Sequence, residues 1–287
     1  MSLAALGPPF EVLLARLVDD AALLCAPDRS RGSGIGPVLA AHTAHRRAAY
    51  GELVGALRCP ASRLGALTSA LPRDQTLDIG VVLDTGLDTG ADGLSALTAA
   101  LDDPRVTLAV VEVRLPDEGD LAATATEYAS ALARFPSYVE VPAVPGWEAA
   151  LDALAHTAAN AVVRTGGLPT GPSPGVDEVG SFVRGCIDRQ LAFTCTGGLE
   201  RAVREADESG PRHGFLNLLA ATAAALDGAE PDELAELLDS RDGAALVTRL
   251  RAVGGPEAEV TRGFFRSFGS CSLDAAIADL RALGVLR

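Results

Sequence analysis

The segment VTLAVVEVRL, residues 106–115, is a run of β-branched and aliphatic side chains that carries two charges, Glu112 and Arg114, two positions apart. Side chains alternate across a strand, so both charges point to the same face. A strand of a parallel barrel has helices on one face and the barrel interior on the other. Charges inside such a strand therefore have only the interior, or its open mouth, available to them. The fold turns on whether the neighbouring segments form such a sheet.

They alternate in the required way. LDIGVVLDT (77–85), SYVEVPAV (137–144), AVVRTGG (161–167) and LAFTCTGG (191–198) read as strands, and helical stretches lie near 91–102, 119–134, 147–158 and 176–189. Repeated βα units imply a parallel sheet. Three weaker strands, EVLLARLV (11–18), LVGALRC (53–59) and GFFRSFGS (263–270), bring the count to that of a (β/α)8 TIM-type barrel, a single domain over 1–287. SLDAAIADLRALG (272–284) reads as its closing helix, with Ser272 as N-cap and Gly284 as stop. A helical elaboration at 200–252 precedes the last strand and contains the apolar helix HGFLNLLAATAAAL. A doubly wound open sheet is the alternative, which the extra length and the C-terminal strand disfavour.

Composition narrows the function. The chain has 287 residues, 48% of them hydrophobic, and a net charge of −14 from 38 acids and 24 bases. An acidic surface disfavours nucleic acid and anionic membranes as partners. Every base is arginine and no lysine occurs. This excludes a Schiff-base aldolase, a pyridoxal-phosphate enzyme and a Walker-type phosphate loop, each of which needs a lysine amine. The five cysteines, Cys25, Cys59, Cys186, Cys195 and Cys271, are scattered and never spaced C-x-x-C, so neither a zinc site nor a disulfide framework is expected. With no signal-like leader and no apolar run of membrane length, the reading is a reduced, cytoplasmic protein.

Parity and position gather Asp84, Glu112, Arg114, Glu140 and Arg164 at the C-terminal strand ends, joined by Arg58 and by Asp19 or Asp20. Barrel enzymes place their chemistry there. Asp84, Glu112 and Glu140 are the candidate proton carriers. Arg58, Arg114 and Arg164, with Thr194, Thr196, Gly197, Gly198, Gly269, Ser270 and Ser272, are the candidate anion-binding groups: hydroxyls, glycine N–H groups and a helix N-terminus next to fixed cations. The competing reading of the same charges is a self-satisfied salt-bridge network.

Other motifs lead nowhere. VVLDTG (81–86) matches an aspartic-protease string but ends one strand of an α/β chain. Gly32, Gly34 and Gly36 miss the dinucleotide spacing, and no cofactor is expected. His42 and His45 read as a surface helix pair without a third ligand, so no metal is expected. His213 sits in a turn, where it caps the next helix or faces the mouth. Cys271 reads as a small packing or anion-lining residue.

At RLVDDAALL, VVRTGGL, FTCTGGL, HGFLNLL and SFGSCSLDAAIADLRALG the chain resembles a family of uncharacterised, mainly actinobacterial barrel proteins. The FxxTxGL and FGSCS motifs carry the resemblance, which implies the same fold and site location. The family's strand-seven motif usually holds a lysine and then a histidine; here Thr194 and Glu200 occupy those positions. From the arginines, carboxylates and glycine turns at the strand ends, the expectation is a small-molecule biosynthetic enzyme performing lysine-independent acid/base lyase, isomerase or ring-forming elimination chemistry on a phosphate-, sulfate- or carboxylate-bearing substrate. The alternative is a catalytically reduced barrel serving as partner subunit of a heteromeric enzyme; a homo-oligomer is also open.

Overall fold

The computed structural model describes residues 3–25, 34–84, 87, 92–166, 173–207 and 210–286. Its sheet is a closed barrel of eight parallel strands: β1 (Val18–Asp20), β2 (Val54–Pro60), β3 (Leu77–Val82), β4 (Val106–Arg114), β5 (Ser137–Glu140), β6 (Asn160–Arg164), β7 (Phe193–Thr196) and, last in the chain, β10 (Phe265–Ser270). β1 closes the barrel against β10, with Asp20 beside Ser270. The protein is a (β/α)8 TIM-type barrel, and the open-sheet alternative is excluded.

Helices alternate with these strands: α2 (Ile35–Arg47), α3 (Leu64–Ala70), α4 (Asp92–Leu101), α5 (Leu121–Ala131), α6 (Trp147–Ala155) and α7 (Val176–Asp188). The two faces of β4 separate as its sequence dictates. Val111, Val113 and Leu115 join the main apolar core under the helices, whereas Val110 belongs to a small separate cluster with Tyr138 and Val162 inside the barrel. Cys195 lies on the helix side, in the main core.

Between β7 and β10 the chain makes a short antiparallel hairpin, β8 (Glu205–Asp207) with β9 (Gly210–Arg212). It then forms α8 (Phe215–Leu226), α9 (Pro231–Asp239), α10 (Gly243–Arg251) and α11 (Gly255–Phe264). The 200–252 elaboration is thus helical apart from that hairpin. α8 is apolar nearly all round and buried nearly all round. The closing helix, α12 (Leu273–Ala282), is capped by Ser272, whose hydroxyl accepts from the Ala275 N–H, and the chain leaves it through Gly284 at φ +66°.

The first strand corrects the sequence reading. Residues 10–14 form α1 (Phe10–Leu14), and only Val18 of the segment 11–18 is in β1. Phe10, Leu13, Leu14 and Leu17 are all buried at helical spacing, a period of three to four that outweighs the local strand propensity. No helix among the described residues is long and apolar enough to cross a membrane.

Candidate functional site

Register brings the charges of β4, β5 and β6 together at the C-terminal mouth. Arg114 is beside Glu140, and Glu140 is beside Val162, two residues before Arg164. The Glu140 carboxylate is buried. Its Oε1 accepts from Arg114 Nε at 2.9 Å and Arg164 Nε at 2.8 Å, and its Oε2 accepts from Arg164 Nη2 at 2.8 Å. Asp117 takes the other side of Arg114 at 2.7 Å. Arg164 Nη1 has no hydrogen-bond partner among the described residues and lies against the Gly197 turn, 3.3 Å from where a Cβ would stand. Burial works to lower the Arg164 pKa, but Glu140 more than offsets it, so the guanidinium is held charged.

Deeper in the barrel, Arg58 spans two strands. Its Nε donates to Asp19 Oδ2 at 2.9 Å and its Nη1 to Glu112 Oε2 at 3.0 Å. Asp19 also accepts from the Ala56 N–H and the Ser267 hydroxyl. Gly80 makes the room: a Cβ there would sit 2.9 Å from Arg58 Nε. Burial pushes the Glu112 carboxyl above its usual range, against the pull of Arg58 and with the help of Glu140. The nitrogens of Arg58 are spent on two buried carboxylates, so this arginine acts as an internal strut.

The remaining candidates fall into three groups. Asp84, exposed just beyond β3, accepts from the Ser62 hydroxyl at 2.5 Å and the Ser62 N–H at 3.1 Å. Thr196 pairs with Arg164 in register, and Gly197 and Gly198 follow at φ +69° and +73°. These two glycines pack directly on Gly166, and the Thr165 hydroxyl donates to the Gly197 carbonyl, so the ends of β6 and β7 are stitched backbone to backbone. Gly167 and the Asp88-Thr-Gly string lie outside the described residues. On β10, Gly269 sits beside Asp19 in register. The Ser270 hydroxyl accepts from the Ser272 N–H and Ser272 caps α12, so both serines serve the turn.

Several residues lie elsewhere than the sequence implied. Thr194 and Arg58 line a cavity that opens at the opposite, N-terminal end of the barrel. His42 is buried, with its Nδ1 3.2 Å from Asp20 Oδ2, and is not part of a surface pair. His213 is buried with Nε2 2.7 Å from the Pro174 carbonyl. Cys25 and Cys271 are joined as a disulfide, which corrects the expectation of reduced thiols; barrel closure brings the loops after β1 and β10 together across a separation of 246 residues. Asp117 and Ser62, which hold Arg114 and Asp84, were not singled out in the sequence. Only the three-residue spacing of Asp117 from Arg114 could have pointed to either.

No protein-family model, curated protein or solved structure matches the chain. The class of the protein rests on the closed strand order and on the arginine–carboxylate mouth it creates.

Proposed function

We propose that the protein is an enzyme that binds a small phosphate-, sulfate- or carboxylate-bearing molecule at the C-terminal mouth and moves a proton on it, in lyase, isomerase or ring-forming elimination chemistry. The observation that carries this reading is the free Nη1 edge of Arg164, oriented by its two-point contact with Glu140 and facing the Gly197 turn. A guanidinium fixed in this way meets an oxyanion without reorganising. Arg114, also partly exposed, flanks it. Glu140 positions the two arginines, since its oxygens are occupied by them.

Of the three acidic candidates, Asp84 is the exposed one, and it carries the proton. β3 and β6 are three strands apart in the closed order, so a ligand anchored on Arg164 presents its far end to Asp84 across the mouth. Ser62 fixes that carboxylate with two hydrogen bonds.

Calorimetric titration of sulfate, phosphate and a panel of small phosphate esters and carboxylic acids, with product analysis by mass spectrometry, tests the reading. Arg164→Gln is expected to weaken binding, and Asp84→Asn to abolish turnover with binding retained. Equal affinities in wild type and Arg164→Gln would overturn it.

A further inference from the structure

We propose a second anion site at the opposite end of the barrel: the cavity at the N-terminal mouth receives a small molecule whose acidic head meets Arg262 and Arg266 and whose other polar end reaches Thr194. The cavity has a volume of about 450 Å³, within the roughly 300–1,000 Å³ of small-molecule sites. Its walls come from segments that precede or begin strands: Val12 to Arg16, Gly55 and Ala56, α11, and the start of β10. None of the C-terminal loops contributes.

Three observations on independent elements point to a ligand. First, Thr194 is only 2% exposed and lines the cavity, yet its hydroxyl has no hydrogen-bond partner. A buried hydroxyl left unpaired is costly, and a ligand group would satisfy it. Second, Arg262 is clamped by the carbonyls of Phe265 and Ala15, which leaves its Nε buried and unpartnered.

Third, two cations of the wall stand without a carboxylate at ion-pair distance among the described residues. Arg16 is paired with Asp78, and Arg58 with Asp19 and Glu112. Arg262 and Arg266 have no ion-pair partner among the described residues, and Glu259 is the remaining acid of the wall. Burial and the neighbouring Arg266 pull the Arg262 pKa down to about 10. An anion between the two guanidiniums relieves both effects. A register shift between Phe265 and Phe268 lets Arg266 and Ser267 both border the cavity despite being consecutive.

The test is calorimetric titration of the full chain with inorganic phosphate and with succinate at constant ionic strength. Arg262→Ala could unfold the α1–α11 contact, so the variants are Arg266→Gln and Thr194→Val. Arg266→Gln is expected to weaken both probes by about tenfold, the scale of one charge-assisted contact. Thr194→Val is expected to weaken succinate alone. Binding that persists in Arg164→Gln and weakens in Arg266→Gln locates the site at this end and is independent of the proposed reaction at the other. Absence of saturable binding by either probe overturns the proposal. So does binding that is unchanged in Arg266→Gln and Thr194→Val, whatever Arg164→Gln does to it.

Discussion

Arg164 holds Glu140 through two parallel hydrogen bonds, Nε to Oε1 and Nη2 to Oε2, each at 2.8 Å. This two-point grip fixes the plane of the guanidinium as well as its position. Glu140→Gln keeps the shape but removes the charge that both Arg114 and Arg164 share. The arginines retain partial contact with water, which screens part of the loss, so the expected cost is about 1–3 kcal/mol. Urea unfolding measures it. A variant as stable as wild type would mean that the carboxylate orients the arginines without stabilising the fold.

Removing Arg58 should cost more, about 3–5 kcal/mol, because Asp19 and Glu112 are left buried without their cation. The pH dependence is signed. Glu112 already has a raised pKa in the folded state, and without Arg58 it rises further. The penalty in Arg58→Ala is therefore full only above the raised folded pKa and shrinks as pH falls from there toward the unfolded carboxylate value of about 4.3. Denaturation midpoints of the two proteins should converge on acidification; a gap that stays constant or widens would contradict the strut.

Gly197→Ala places a methyl group against the Gly166 carbonyl oxygen at φ +69°. Strain and overlap together predict a loss of about 2 kcal/mol or more. Gly119→Ala, at φ +98° with open space around it, should lose only about 1 kcal/mol. Equal thermal shifts in the two variants would show that the β6 and β7 ends are not closely packed.

His213 gives the fold an acid sensitivity. Arg204 Nη1 lies 3.4 Å from Nδ1 and can only donate, so Nδ1 accepts and Nε2–H donates to the Pro174 carbonyl. This is the neutral ring, and burial lowers its pKa below the ordinary 6.5. The unfolded chain takes up the proton first. The stabilising contribution is thus present above 6.5 and is lost as pH falls through the folded value. His213→Gln should flatten the decline in stability that begins as pH falls through about 6.5; an unchanged slope would assign that decline to carboxylates.

The sequence announced the barrel because charges inside apolar strands tolerate few folds, and Glu112, Arg114, Glu140 and Arg164 do share the interior side. Period-two reasoning gives a face but no depth. Thr194 and Arg58 have the expected parity yet lie low enough to border the N-terminal cavity. Which end a pocket serves depends on what caps it, and the caps here are α1, misread as a strand, and α11. Arg266 and Ser267 break parity at an irregularity that no local pattern reveals. The hydroxyls of Ser270 and Ser272 are consumed by the turn they were expected to open toward a ligand.

The Cys25–Cys271 bond closes the chain between these two residues, barrel included, into one covalent ring. The first and last strands meet at one seam, and the bond ties the loops that leave them. The barrel therefore cannot unzip between β1 and β10 by fraying, as a linear chain would. A single proteolytic cut between residues 26 and 270 should leave one covalently joined particle without reductant and release two fragments with it. Non-reducing and reducing electrophoresis of the nicked protein distinguish the two forms directly.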